Sequence, residues 1–236
     1  GETKSIPQQK SWIFGNFVIL WQYRKCGCAA IVRGESLSHD LDVFYDLQRR
    51  LISGEFPHGM KLRAEVLRKD YGCAASTVRE SLLRLSAVGL VEFQEQRGFR
   101  MPGRSLEKQD DITRMRIMLE SEGACASIIN GGVGWEARLT AAHHKLSPIE
   151  SRMSALGMVD ELPRLWSEAE LEFHQTLISA CGSDVLIEMH LIVYNRYRQI
   201  RIEADKMLTD LAANIKEHNN ILEAAVKGDP GLMRRR

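Results

Sequence analysis

The chain has 236 residues, 44% hydrophobic and 27% charged, with a formal net charge of +1. That length suits two domains, each with its own core, and the composition is globular rather than disordered or collagen-like. Five cysteines (Cys26, Cys28, Cys73, Cys125 and Cys181) include no CxxC pair and leave one thiol odd, which speaks against a zinc ribbon or a disulfide framework and fits a reducing cytoplasm.

Residues 11–23 (SWIFGNFVILWQY) are apolar, but a membrane span needs about 18 or more such residues. They also lack a small-residue cleavage site, so residues 1–35 are expected to be an extension packed on the body or on a partner subunit. Phe44, Leu47, Leu51 and Ile52 recur at helical spacing over 41–53, and Gly54 stops them. Pro57 and Gly59 make a turn. Leu62, Val66 and Leu67 predict a second short helix ending at Gly72, and Val78, Leu82 and Leu85 a third ending before Gly89. The period then becomes two: Val91 and Phe93, then Phe99 and Met101, with Gly98 in the turn between, predict a hairpin. Pro102 and Gly103 read as a linker. Three helices and a hairpin over residues 36–103 are the layout of a winged helix-turn-helix. After it, residues 108–130, 134–156, 160–181, 184–205 and 208–227 read as amphipathic helices, so residues 104–236 are expected to form an all-α antiparallel helical bundle. The fold class is mainly α.

Local charge is uneven. Residues 61–104 hold nine Lys and Arg against five Asp and Glu, a modest excess that suits a surface meeting phosphate. On the third helix, burying Val78, Leu82 and Leu85 leaves Ser76, Thr77, Arg79 and Arg84 on exposed or partly exposed faces. A helix laid in the major groove reads bases from its first turns, arginine being the usual partner of guanine. Hydroxyls at its start donate to phosphate, helped by the helix dipole. In the hairpin turn, Arg97 is placed to follow the minor groove or the backbone. The plainer alternative for each is an ordinary surface side chain; the helix-helix-helix-hairpin context favours DNA.

These residues carry a resemblance. Leu62-Arg63, Leu67, Tyr71-Gly72, Ser76-Thr77-Val78-Arg79-Glu80-Ser81-Leu82, Arg84-Leu85, Gly89-Leu90-Val91 and Arg97-Gly98-Phe99-Arg100 resemble the signature of the GntR family of bacterial regulators over residues 41–101. The resemblance implies operator contacts from Ser76, Thr77, Arg79, Arg97 and Gly98. Two family arginines fall here on Ala75 and Glu65, with Arg63 and Arg68 as partial substitutes, which alters the expected operator more than the activity. The usual capping serine falls on Ala74, a loss of about 1 kcal/mol unless Thr77 and Glu80 form a later capping box.

In the second domain, Glu170 and His174 stand four apart on one helical face, and Glu217-His218 lies on another helix. A carboxylate and imidazoles so placed can share a divalent cation. The bland alternative is a hydrogen-bonded core histidine. His143 and His144 are adjacent, point about 100° apart, and are rejected as a chelating pair. Residues 108–236 are similar to the FCD effector domain of FadR-type GntR regulators, through Arg116-x-x-Leu119-Glu120, Phe173-His174, Gly182-Ser183, Glu217-His218 and Gly228-Asp229. That resemblance implies a site for Zn or another divalent metal held by Glu170 (an aspartate in most of the family), His174 and His218. A further family histidine would fall near position 240, past Arg236, so the domain reads as truncated. It also implies a small carboxylate effector bound by Arg116, with Arg198 as a second candidate; for both, a salt bridge to a neighbouring helix is the alternative. The expected whole is a cytoplasmic, homodimeric repressor of an operator in double-stranded DNA, released by an organic acid. The competing reading is a metal-dependent hydrolase built on Glu170, His174 and His218. It lacks a positioned general base or an HExxH motif. A purely structural adaptor would not bind DNA at all.

Overall fold

Apolar residues at helical spacing fold the N-terminal part of the chain as expected. Helix α1 (Glu35–Ile52) buries Val43, Phe44, Leu47 and Leu51 against α2 (Ala64–Tyr71) and α3 (Ala75–Ala87). The structure is a computed structural model describing residues 35–201 and 204–234, with side chains given except at 35–41 and 204–210. The apolar stretch 11–23, Cys26 and Cys28 lie outside the described residues. Cys73, Cys125 and Cys181 are free thiols. Among the described residues, no helix is long and apolar enough to cross a membrane.

The wing is a three-stranded antiparallel sheet of β1 (Lys61–Leu62), β2 (Glu92–Gln94) and β3 (Gly98–Arg100), in the order β1-β3-β2. This corrects the reading of Leu62 as helical. The turn through Pro57 to Gly59 returns the chain beside β3, where Leu62 pairs opposite Phe99 and Met101 N–H donates to Met60 O at 2.9 Å. Helix α2 therefore starts only at Ala64; Leu67 is its buried anchor, while Val66 is 55% exposed. It ends on Gly72 at φ +62°, a left-handed cap that glycine adopts without strain. Arg50 braces α1 to α2: it donates to Tyr71 Oη (2.8 Å) and pairs with Asp70 (3.0 Å) and Glu55 (2.6 Å). Tyr71 in turn donates to Asp46 (2.9 Å). Helix α3 starts after Ala74 with no side-chain cap, and Thr77 N–H bonds to Ala74 O. Thr77 thus lies inside the first turn, and the later Thr77–Glu80 capping box does not form.

The rest is helical: α4 (Leu106–Asn130), α5 (Gly132–Leu156), α6 (Leu162–Ile178), α7 (Asp184–Arg201), α8 (Ala204–Val226) and the short α9 (Pro230–Met233). Ser105 and Asp229 cap α4 and α9 through their side-chain oxygens. Helix α5 packs on α6 and α8, and α4 on α6 and α7. Trp135, Leu139, Leu146, Trp166, Phe173 and Ile178 fill the core, each burial contributing about 1.5–3 kcal/mol. The N-terminal and bundle cores are separate clusters, yet the described residues from His39 on form one unit. Helix α7 makes the join. Gln199 Nε2 donates to Leu90 O (2.9 Å) and Leu51 O (3.3 Å), and Arg196 Nε lies 3.0 Å from where a Cβ on Gly89 would sit.

Gly123 sets how closely α4 crosses its neighbours. A Cβ there would fall 2.8 Å from Ile178 Cγ2 and 3.0 Å from Leu186 Cδ2. Gly123→Val is expected to destabilise the bundle by about 1–3 kcal/mol through overpacking, read as a lower unfolding midpoint by scanning calorimetry.

Candidate functional site

The first surface is the front of α3 with the wing. Val78, Ser81, Leu82 and Leu85 form the buried face of α3, which leaves Ser76 and Arg79 exposed and Thr77 half-buried. Arg79 leans toward the wing, its Cζ 6.0 Å from the Phe99 ring centre. Arg97 is exposed in the wing turn between Gln96 (φ +66°) and Gly98 (φ +77°). A Cβ at Gly98 would meet nothing within 4 Å, so the backbone there stays open. Arg63 is exposed at the start of α2. Arg84 is placed differently from the expectation. It is half-buried with its guanidinium 4.3 Å over the Phe44 ring, so it stacks on α1 instead of standing with Ser76 and Arg79.

The second site is a polar cluster inside the bundle. Glu170 and His174 share one face of α6, as their spacing requires, and His218 meets them from α8. Their ligand atoms all lie within 4.8 Å of one another, and all three side chains are at most 2% exposed. His174 Nε2 and His218 Nε2 face each other across 3.3 Å. Behind them stand carboxylates: His218 Nδ1–H donates to Glu150 Oε1 (2.7 Å), and His174 Nδ1 lies 3.3 Å from Glu120 Oε1. A carboxylate beside each Nδ1 favours the Nδ1–H tautomer, which turns two Nε2 lone pairs toward one point. Two such acceptors repel unless a proton or a cation lies between them. The donor set therefore fits a divalent ion, with Glu150 and Glu120 as the outer partners that orient the imidazoles.

Around this core stand further side chains. Arg116, expected to bind an effector, comes from α4; Glu120 from the same helix, and His190, Tyr194, Tyr197 and Arg201 from one face of α7, are residues that the sequence reading did not assign. His190 Nε2 lies 3.0 Å from Glu120 Oε1, and Arg201 Nη1 donates to Glu170 Oε1 at 2.8 Å. Arg116 lies 3.6 Å from Glu120 and 3.4 Å from Glu217, with its Cζ 4.2 Å over Tyr197. Arg201 is 5.1 Å from the same ring. Arg116 Nε, Arg201 Nη2 and Tyr194 Oη are buried donors that make no hydrogen bond to a described residue. The signal for the α7 residues was present as a 4-3-4 spacing that puts all four on one helical face. Arg198, the second candidate for the effector, sits at the edge of that face and is engaged with neighbouring side chains. Its Nε and Nη2 donate to Ser167 Oγ (3.0 and 2.8 Å) and its Nη1 to Asn195 Oδ1 (3.3 Å).

Electrostatics follow the same map. Burial by itself would raise Glu120, but His174 and Arg116 outweigh it and hold it well below the usual carboxylate range. Burial also opposes ionised Glu170, and the Arg201 guanidinium beside it holds it down. His174 is pushed below its ordinary value by burial, which favours the neutral ring that a metal ligand needs. Burial raises the Tyr194 hydroxyl well above its usual range, so it stays a donor.

Family models match both parts of the chain. Residues 40–101 match the bacterial regulatory proteins of the gntR family, and residues 111–236 match the FCD domain. The chain is 36% identical to the HTH-type transcriptional regulator BphR of Paraburkholderia xenovorans (strain LB400) over 66% of its own length and 64% of that protein. It is 30% identical to the HTH-type transcriptional repressor GlaR of Escherichia coli (strain K12), over 79% of this chain and 84% of that one. Its fold matches E. coli McbR/YncC with a TM-score of 0.67 at 21% identity, covering 84% of this chain and 90% of that one. A putative GntR regulator from Rhodococcus sp. RHA1 matches with a TM-score of 0.66 at 20% identity, over 84% and 91% of the two chains. The chain therefore belongs to the GntR family of bacterial regulatory proteins, a family of DNA-binding transcription regulators and not of enzymes, with an FCD domain behind its winged helix-turn-helix.

Proposed function

We propose that this regulator is a repressor that binds a double-stranded operator as a homodimer in the cytoplasm and is released by a small organic acid taken up beside a divalent ion. The observation that carries the DNA half is the shared surface of α3 and the wing, with Ser76, Arg79 and Arg97 exposed and Arg79 leaning toward Phe99. Arg79 reads a base edge in the major groove; Ser76, Thr77 and Arg63 hold phosphates; Arg97 follows the adjacent backbone, with Gly98 allowing close approach. Arg84 is left out because it is engaged on Phe44. The uncapped start of α3 leaves first-turn N–H groups open to a phosphate oxygen. In a dimer, two such helices enter successive major grooves. The name of the E. coli relative, a repressor, supports the direction of regulation.

The effector half rests on the facing Nε2 atoms of His174 and His218. Glu170, His174 and His218 would hold Zn or another divalent ion, which supplies a Lewis-acidic anchor for a carboxylate. Arg116 then takes the carboxylate with its guanidinium, whose Nε makes no hydrogen bond to a described residue. Helix α7 carries the signal, because its inner face lines this cluster while Gln199 and Arg196 lean on the DNA-binding core. A cavity of 380 Å³ beside that contact, bounded by His58, Arg104, Lys108, Arg196 and Gln199, gives the helix room to shift. Coupling of the usual size, about 1–3 kcal/mol, lowers operator affinity some five- to 150-fold.

Two outcomes are expected. With a duplex selected by the wild-type protein from a random pool, Arg79→Ala should weaken binding by about 1–3 kcal/mol in fluorescence anisotropy, with circular dichroism and elution volume unchanged. Unchanged affinity would refute this placement of the recognition helix. Zn²⁺ should raise the wild-type unfolding midpoint, while His174→Ala and His218→Ala lose that response; equal shifts in all three would remove the metal from the site.

A further inference from the structure

The carboxylate that a metal would need is already occupied. Glu170 is 2% exposed, and Arg201 Nη1 donates to its Oε1 at 2.8 Å. Among the described residues, Glu170 is the ionic partner of Arg201, whose guanidinium otherwise stands 4.8 Å over Trp166 and 5.1 Å over Tyr197. Its Nη2 is buried and makes no hydrogen bond to a described residue, so it has donor capacity to spare.

We propose that Arg201 competes with the divalent ion for Glu170, and that a carboxylate ligand relieves the competition by drawing Arg201 onto itself. Metal and anion therefore load as a pair. The inference rests on the metal reading of Glu170, His174 and His218 given above. It adds Arg201 as a ligand-binding residue and makes Glu170 the group that changes partners.

The charges of the buried side chains give the reason. Among the described residues, Glu170 is the carboxylate that pairs with Arg201. A divalent ion on Glu170 leaves two cations sharing that one carboxylate in a medium that screens them poorly. A ligand carboxylate gives Arg201 an anionic partner of its own. Its geometry suits Arg201, which offers planar paired donors, and the flanking Trp166 and Tyr197 rings suit an apolar tail behind the carboxylate. The class of ligand is thus a carboxylate with an apolar part.

The test is titration of the whole chain with Zn²⁺ alone, by calorimetry, for the wild type and for Arg201→Gln. Removing the competing cation should raise Zn²⁺ affinity roughly tenfold or more. Equal or weaker binding by R201Q overturns the exchange while leaving the metal reading in place. No Zn²⁺ binding by either protein overturns the metal reading and the exchange with it. A second measurement needs no variant: excess sodium acetate, against sodium chloride at equal ionic strength, should raise the wild-type Zn²⁺ affinity several-fold. By linkage, Zn²⁺ should raise the affinity for acetate by the same factor. Independence of the two ligands overturns the proposal.

Discussion

The enclosed ion-pair cluster is the constraint on which the bundle's arrangement depends. Each charge sealed there costs several kcal/mol unless it is paired. Every long helix supplies one side of the pairing: Arg116 and Glu120 from α4, Glu150 from α5, Glu170 and His174 from α6, His190 and Arg201 from α7, and His218 from α8. A slide of any one helix by a turn would strand a charge. The apolar layer of Trp135, Leu139, Leu146 and Phe173 supplies most of the stabilisation, but it tolerates such slides far better. Polar pairing in the centre therefore sets the register that hydrophobic packing alone leaves loose.

Helix α7 connects this centre to the DNA. Its 190, 194, 197 and 201 face lines the cluster, and Arg196 and Gln199 face the other way onto the DNA-binding core. Gln199 donates to two main-chain carbonyls at once, one after α1 and one after α3, so a small rotation of α7 disturbs both contacts together. One helix thus carries both a buried polar side in the bundle and a hydrogen-bonded side on the N-terminal core.

At the DNA face, two features that look like defects suit a partner. The start of α3 lacks a side-chain cap, and the wing turn places Gln96 and Gly98 at positive φ. The first leaves N–H groups open for an anion; the second brings Arg97 forward on a bare stretch of backbone. Arg84, by contrast, covers Phe44 and helps hold α3 on α1, while Arg79 on the same helix stays exposed.

Much of this was legible in the sequence because it is local. Apolar spacing of 3.6 and 2, with glycine at the stops, defined the three helices, the hairpin and the five-helix run. The four-residue step from Glu170 to His174 put both on one face without reference to any other helix. The same local reasoning failed wherever the answer lay across a contact. Leu62 belongs to a strand only because β3 passes beside it. That Arg84 stacks on Phe44 and Arg198 bonds to Ser167 shows only once other helices are brought against them, and Arg201 joins the cluster because α6 presents Glu170 to it. Sequence alone determined which residues share a helical face, since that follows from the geometry of one backbone. The tertiary structure decided which faces meet, and so which charges are paired, because that depends on packing between helices far apart in the chain.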